Sequence, residues 1–529
     1  MIKKLWINKI WLTILLFTFL IIGCQKESKK EELVVDSLKI NFQEGDLPSI
    51  HPHDLMIYLR GISIAKHLFE GLTRVDAQGK AVLAGAKSVD ISPDGLHYTF
   101  VLKDNKWSDG SPVTAFQYEA AWKEALSPQS PCSRAHLLYL LKNGEAAKKG
   151  TVPLSDIGVK SLNDKTLSID LAHPSPYFLE LLSQPICMPL FNVKEKQPTQ
   201  FNGPFQIGEW VRSHSIRLDR NPHFWNLKKI SLKQIDIFMV QDTPTAFTFF
   251  EKEKIDWIGL PLCPLTTEMI DHLKKSKTLN SHPIDRAFWL FLNTKHPGLA
   301  SSSIRKALSL AIDRSKITQH ILIGGEPLSK PLPENLLSAS FQENHLKEDI
   351  GEASLYFEQG LQELGFTKET FPPLVITYSQ QANRKQFAEY IQQAWATALG
   401  IQVQLEPQEW NLLRTNLEKG QYMVSGCFEA AFYKDPMEIL ERLTTLNPSN
   451  FSQWTHPLFG AKIASAIDEK NIQKRNALMG EAEAVLAEHM PFIPICSDRF
   501  LFAHTPNLNG YVFDYVGAID FSYASFTPK

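Results

Sequence analysis

His51-Pro52-His53-Asp54 puts two imidazoles and a carboxylate within four residues, the one metal-like cluster in this chain of 529 residues. Such side chains suit Zn²⁺ or Ni²⁺. Pro52 favours an extended segment, where alternate side chains share a face. No third or fourth ligand is spaced to close a site, so a surface or hinge loop is expected and no metal is assigned. The catalytic motifs are missing from the sequence: no G-x-S-x-G elbow, no G-x-x-x-x-G-K-[ST] phosphate loop, no H-E-x-x-H and no G-x-G-x-x-G. Acid pairs are scattered without a distinctive spacing. No cofactor is called for, and an enzyme is not expected.

A different chemistry stands at the start. Ile10 to Ile22 is an apolar run of thirteen residues, preceded by Lys3, Lys4 and Lys9 and followed by Gly23-Cys24 and the polar Gln25 to Lys30. The run is shorter than the roughly 20 residues a spanning helix needs, and its basic flank suits a secretory signal. Gly23-Cys24 looks like a bacterial lipobox, although Ile21 and Ile22 depart from the usual residues there. Residues 1–23 are read as a lipoprotein signal peptide, Cys24 as the lipidated residue and 24–32 as a tether. The alternative is an uncleaved N-terminal anchor. Cys132, Cys187, Cys263, Cys427 and Cys496 lie far apart with no C-x-x-C pair, so they are expected to be buried and free. Export permits a disulfide, and the spacing selects no pair.

The elements that must position these groups read as an alternation of helices and strands. Leu33 to Ile40 is a strand, and His97 to Lys103 alternates with Tyr98, Phe100 and Leu102 on one face. Thr114-Ala115-Phe116-Gln117 has capping-box spacing ahead of Ala121, Trp122 and Ala125. Ile304, Ala307, Leu308, Ala311 and Ile312 keep helical spacing after Ser301-Ser302-Ser303. Phe387, Tyr390, Ile391, Ala394, Trp395, Ala398 and Leu399 do the same before Gly400, and Ile401 to Leu405 alternates as a strand. A last helix covers residues 470–488. Helix, glycine, strand is α/β grammar. The length calls for two or more lobes. Net charge is −2, with 55 basic and 57 acidic residues, so no nucleic-acid partner is expected.

Asp90-Ile91-Ser92-Pro93-Asp94-Gly95-Leu96-His97-Tyr98-Thr99-Phe100-Val101-Leu102-Lys103, followed by Trp107-Ser108-Asp109-Gly110-Ser111-Pro112-Val113-Thr114-Ala115, resembles the signature of the family 5 extracellular solute-binding proteins. Those are the oligopeptide, dipeptide, murein-peptide and nickel receptors of ABC importers. His67-Leu68-Phe69-Glu70-Gly71-Leu72, Asn202-Gly203-Pro204-Phe205, Arg220-Asn221-Pro222, Ile304-Arg305-Lys306-Ala307-Leu308 with Asp313-Arg314, and Gln408-Glu409-Trp410 extend the likeness from about residue 34 to the C-terminus. The resemblance implies an α/β fold: a two-lobed, periplasmic-binding-protein-like clamshell of type II with an extra subdomain inserted in its first lobe. On that pattern 33–70, 188–284 and 498–529 form the first lobe, 71–187 the inserted subdomain and 285–497 the second lobe. It implies a peptide ligand enclosed between lobes and handed to an ABC permease driven by a separate ATPase. It also implies a monomer on the periplasmic or cell-surface side, held to the membrane by lipid at Cys24.

Residue by residue, the resemblance makes Trp410 a ligand-packing side chain and places Arg384 near the ligand's C-terminus. The departure lies in residues 421–436. An aspartate that grips the ligand ammonium in oligopeptide receptors aligns with Phe432, beside Tyr433. Gly426 and Leu417 align with usual arginines, and Ala430 with a usual cysteine. A lost charge-assisted bond is worth roughly 1.5–3 kcal/mol. Glu429 or Asp435 replaces the anchor, or the ligand lacks a free ammonium there, or it is another small molecule. A receptor for murein tripeptide or another non-standard peptide is therefore the alternative, with a nickel or haem receptor using His51 and His53 behind it.

Overall fold

The computed structural model describes residues 36–56, 58–336, 348–380, 382–444, 447 and 449–528. Cys24, the apolar run before it and the whole tether lie outside them. Among the described residues no helix is long and apolar enough to cross a membrane.

The first strand, β1 (Ser37–Asn41), is followed by a buried helix, α1 (Leu59–Leu68). The chain then leaves to build a separate antiparallel sheet. Its strands are β2 (Ala86–Ile91), β3 (His97–Leu102), β4 (Val159–Asn163) and β5 (Thr166–Asp170), in the order β2-β3-β5-β4. Tyr98, Phe100 and Leu102 of β3 are buried as their alternation requires. The helix α2 (Ala115–Ala125) starts at the capping box, with the Thr114 amide donating to Gln117 Oε1 at 2.9 Å. The chain returns through β6 (Phe205–Val211), β7 (Ser215–Arg220) and β8 (Gln234–Phe238). These complete a sheet ordered β1-β8-β7-β6, with β1 parallel to β8.

The return is locked where the sequence is most characteristic. The Asn202 amide donates to the Glu70 carbonyl at 3.0 Å and its oxygen accepts the Glu70 N–H at 3.1 Å. Asn221 Nδ2 donates to the Gly203 carbonyl at 3.0 Å. A Cβ on Gly203 would stand 2.5–2.7 Å from the backbone of residues 67–69, so the close approach admits glycine alone.

After the short strand β9 (Trp257–Gly259), the thirteen-residue β10 (Asn280–Leu292) runs out of this half into the next. There α3 (Ser302–Leu310), α4 (Ile350–Leu364), β11 (Leu374–Ser379), α5 (Ala382–Leu399), β12 (Val403–Gln408), α6 (Trp410–Glu418) and β13 (Val424–Ala430) follow. The helix α7 (Ile472–His489) leads into β14 (Phe492–His504), which runs back. The sheet order is β9-β14-β10-β13-β11-β12, with Glu326–Pro327 also pairing to β14. One core lies under α3, α4 and α5, where Trp395 Nε1 donates to the Leu308 carbonyl at 2.9 Å. The long strands β10 and β14 thus join two halves, and their register slips between Ile284 and Ala287. A bulge bends a strand at such a place. Arg286 bridges it, with Nε donating to Asp498 Oδ2 at 2.6 Å.

Candidate functional site

The metal-like cluster is split: its two imidazoles are inside and Asp54 is exposed. His51 and His53 are buried, with ring centroids 4.9 Å apart. Pro52 opens a one-turn helix, Pro52–Leu55, a position proline favours. His51 caps that turn, and burial lowers its pKa to about 4. His53 Nδ1 faces Glu124 at 3.1 Å. Among the described residues no group of three or more potential ligands forms. Of the expected surface or hinge loop, the surface reading gives way to a packed corner around the two imidazoles. A first-lobe cavity of about 20 Å³, lined by Lys66, Glu70, Arg74, Asp514 and Asp520, has room for about one water.

Residues following β13 meet the other half of the chain, as does Arg475 of α7, which lies 5.8 Å over the Tyr177 ring. Tyr433 stacks on Tyr177 with centroids 4.1 Å apart and planes 5° from parallel. The Lys434 N–H donates to Glu180 at 2.8 Å, and burial raises the Glu180 carboxyl to about 7. The Arg134 guanidinium lies 4.9 Å over the Phe432 ring. Tyr177, Glu180 and Arg134 belong to the part of the chain that carries the inserted sheet; Phe432, Tyr433 and Lys434 belong to the second half.

Behind this seam the charges are tied together. Glu429 accepts from Arg414 Nη1 at 3.1 Å and from Arg442 Nη1 at 2.9 Å. Arg442 also donates to the Ala430 carbonyl at 2.9 Å and pairs with Glu438. Burial pushes the Glu438 carboxyl up to about 7, with Arg442 opposing. Asp435 receives both Arg475 Nη groups, at 2.8 and 2.9 Å, a bidentate pair. Asp435 and Glu429 are thus both spoken for by arginines.

The side chains named from the sequence fall into three places. Glu429, Phe432 and Tyr433 are together at the seam. Gly426 and Arg384 are on the other face of β13: a Cβ at Gly426 would meet Phe288 at 2.6 Å, and Arg384 lies 4.8 and 5.1 Å over the Phe288 and Phe428 rings. Burial lowers the Arg384 pKa to about 10, and Arg286 adds to that. Trp410 opens α6 with 39% of its surface accessible. Glu409, just before it, caps α6 by accepting from the Asn411 N–H at 2.8 Å. Arg134, His136, Tyr177 and Glu180 carry no local motif. Their one sequence signal is two basic residues in Cys132-Ser133-Arg134-Ala135-His136, straight after a stretch rich in serine and proline. The five described cysteines are buried and free.

The profile of the bacterial extracellular solute-binding proteins, family 5 (middle region), matches residues 80–451. The chain belongs to that family. Oligopeptide-binding protein OppA of Bacillus subtilis is 32% identical to this family 5 chain over 549 residues, which cover 99% of the chain and 100% of the relative. The structure of Listeria monocytogenes OppA bound to peptide matches with a TM-score of 0.76 and 25% identity, covering 93% of this chain and 99% of that one. The murein tripeptide binding protein MppA of Escherichia coli has a TM-score of 0.79, covering 93% and 98%; at 24% identity it speaks for the fold alone. The family 5 chain is thus a two-lobed α/β clamshell.

Proposed function

We propose that the chain is the exported substrate-binding subunit of an ABC importer, capturing oligopeptides between its lobes and delivering them unchanged to a membrane permease. The observation that carries this is the convergence of both lobes on Phe432, Tyr433 and Lys434 in a chain similar over its whole length to an oligopeptide-binding protein. Closure around a peptide excludes water, so its backbone groups need new partners, and ordered water in roomy side-chain pockets tolerates many sequences. Glu429, Phe432 and Tyr433 form the floor of the site and Trp410 its rim. Gly426 and Arg384 act from the back of β13 by fixing where that floor lies. Lipid on Cys24 keeps the monomeric receptor at the membrane, and no chemical step is performed.

Calorimetric titration with tri- to pentapeptides tests this reading. Saturable heat with a stoichiometry near one is expected. No heat with any of them removes it. The murein-peptide reading is favoured by one observation, the apolar Phe432 where the resemblance calls for an acid, and murein tripeptide belongs in the same titration series.

A further inference from the structure

Asp36, just ahead of β1, is where the chain enters the fold from the tether. It sits beside the loop that joins β7 to β8: its carbonyl accepts the Lys233 N–H at 2.7 Å, and its carboxylate pairs with the Lys233 ammonium at 2.5 Å. The same loop carries Lys228 and Lys229 in a single 3₁₀ turn, Leu227–Lys229. The loop is pinned to the sheet, because the Arg220 N–H donates to the Lys233 carbonyl at 2.8 Å and Arg220 Nη1 to the Ile230 carbonyl at 3.1 Å. Ile230 and Leu232 are buried in the core beneath it, which leaves Lys228, Lys229, Ser231 and Lys233 exposed.

The acids on the neighbouring strands are already engaged. Asp36 pairs with Lys233 and Asp219 with Arg217, while Asp236 accepts from Ser37 Oγ and Gln234 Nε2 at 2.8 and 2.9 Å. Lys228 and Lys229 make no ion pair or side-chain hydrogen bond with any described residue. The charge of the whole chain runs the other way. Removing residues 1–23 takes Lys3, Lys4 and Lys9 and no acid, so the net charge falls from −2 to −5. An anionic surface therefore repels the mature chain as a whole, and a local group of lysines decides which side turns towards it.

We propose that Lys228, Lys229 and Lys233 form a landing patch that turns this end of the sheet towards anionic phospholipid headgroups. The inference rests on the lipid-anchor reading of Cys24 and deepens it by saying which side of the molecule faces the membrane. Cys24 stands twelve residues before Asp36. A chain of that length spans at most about 40 Å, so the point of entry into the fold is kept close to the headgroups. The tether sets Lys26, Lys29 and Lys30 against Glu27, Glu31 and Glu32 and adds no net charge of its own. A few lysines hold a protein to a bilayer only weakly from free solution. Anchoring makes the contact intramolecular, at a high effective concentration. The attraction acts within about one Debye length, ~10 Å at 0.1 M salt. A fixed side towards the bilayer limits the orientations in which the receptor meets a permease in the same membrane.

The test anchors the mature chain through its own first residue. The five described cysteines are buried, so a maleimide lipid couples at Cys24 whatever a cell attaches there. The coupled chain is placed on vesicles of phosphatidylcholine alone, or with about 30% phosphatidylglycerol, and its lysines are briefly acetylated and read by mass spectrometry. Lys228 and Lys229 are expected to react at least about threefold more slowly on the anionic vesicles, with the exposed Lys385 and Lys419 unchanged. The difference should vanish in about 0.5 M salt. In the double variant Lys228→Glu, Lys229→Glu, Lys233 should react alike on both vesicles. Equal rates at Lys228 and Lys229 on the two vesicles, or a slowing shared by Lys385 and Lys419, overturns the patch and leaves the anchor reading in place. The anchor reading has its own readout, the mass of the N-terminal fragment of chain made in a lipoprotein-processing host. A fragment without acyl chains overturns that reading, and the patch with it.

Discussion

Asp435 and Glu429 look alike in sequence, as acids near an expected ammonium, and the structure separates what they do by what they touch. Asp435 lies in a bidentate pair with Arg475, whose side chain is 3% accessible. Removing one member leaves the other charged and buried, which costs about 3–5 kcal/mol. Asp435→Ala should lower the urea midpoint by an amount of that order, and a shift below about 1 kcal/mol would mean the pair is solvated. Glu438 sets a pH dependence. Its carboxyl titrates near 7 in the folded chain against an ordinary 4.5. The folded state then holds this proton more tightly than the unfolded chain. The group's stabilising contribution is present below about 4.5 and is lost as pH rises through about 7. Asp520, held down to about 2 by Arg74 against the effect of burial, works the other way and loses its contribution only in strong acid. Urea titrations of wild type and Glu438→Gln at about pH 5 and pH 8 should show a smaller pH difference in the variant; equal differences would place that titration elsewhere.

At the scale of elements, packing explains why some motifs were readable. Gly426 sits on β13 with the Phe288 ring where its side chain would be. Gly426→Val should overpack that contact and cost about 1–3 kcal/mol, read as a fall in thermal midpoint. An unchanged midpoint would mean that Phe288 moves aside freely. The helices α5 and α7 and the strand β3 were legible because each buries one face, and periodicity reports that directly; α3 is buried on nearly every side and was legible from the spacing of its apolar residues. The conspicuous family residues are mostly scaffold. Arg305 is 3% accessible and donates to the carbonyls of Leu299 and His489, at 2.7 and 2.6 Å through its Nη groups, tying α3 to the end of α7. The seam was less legible, because Arg134, Tyr177 and Glu180 meet Phe432, Tyr433 and Lys434 from more than 250 residues away. No spacing rule links side chains that a fold brings together over such a separation. His51 and His53 misled in the opposite sense: Pro52 nucleates a turn there instead of keeping the segment extended.

At the scale of the whole molecule two places matter, the slip between the long strands and the seam. The register of β10 and β14 slips around the Arg286–Asp498 pair, where a bend would act as the hinge of the proposed closure, and the seam includes the Tyr177–Tyr433 stack. An aromatic pair contributes about 0.5–1.5 kcal/mol beyond its buried area. If that contact exists only when the lobes are closed, Tyr433→Leu should weaken peptide affinity roughly threefold to tenfold. Small-angle scattering should show the variant more open at equal peptide concentration. Affinity and scattering both unchanged would mean that the stack plays no part in closure.

The most direct measurement is native mass spectrometry of the mature chain incubated with a mixture of tri- to pentapeptides, followed by denaturing release. The account predicts a folded chain carrying one peptide mass, and the same intact peptide on release. A chain that takes up no peptide from the mixture, or that returns fragments, would contradict it.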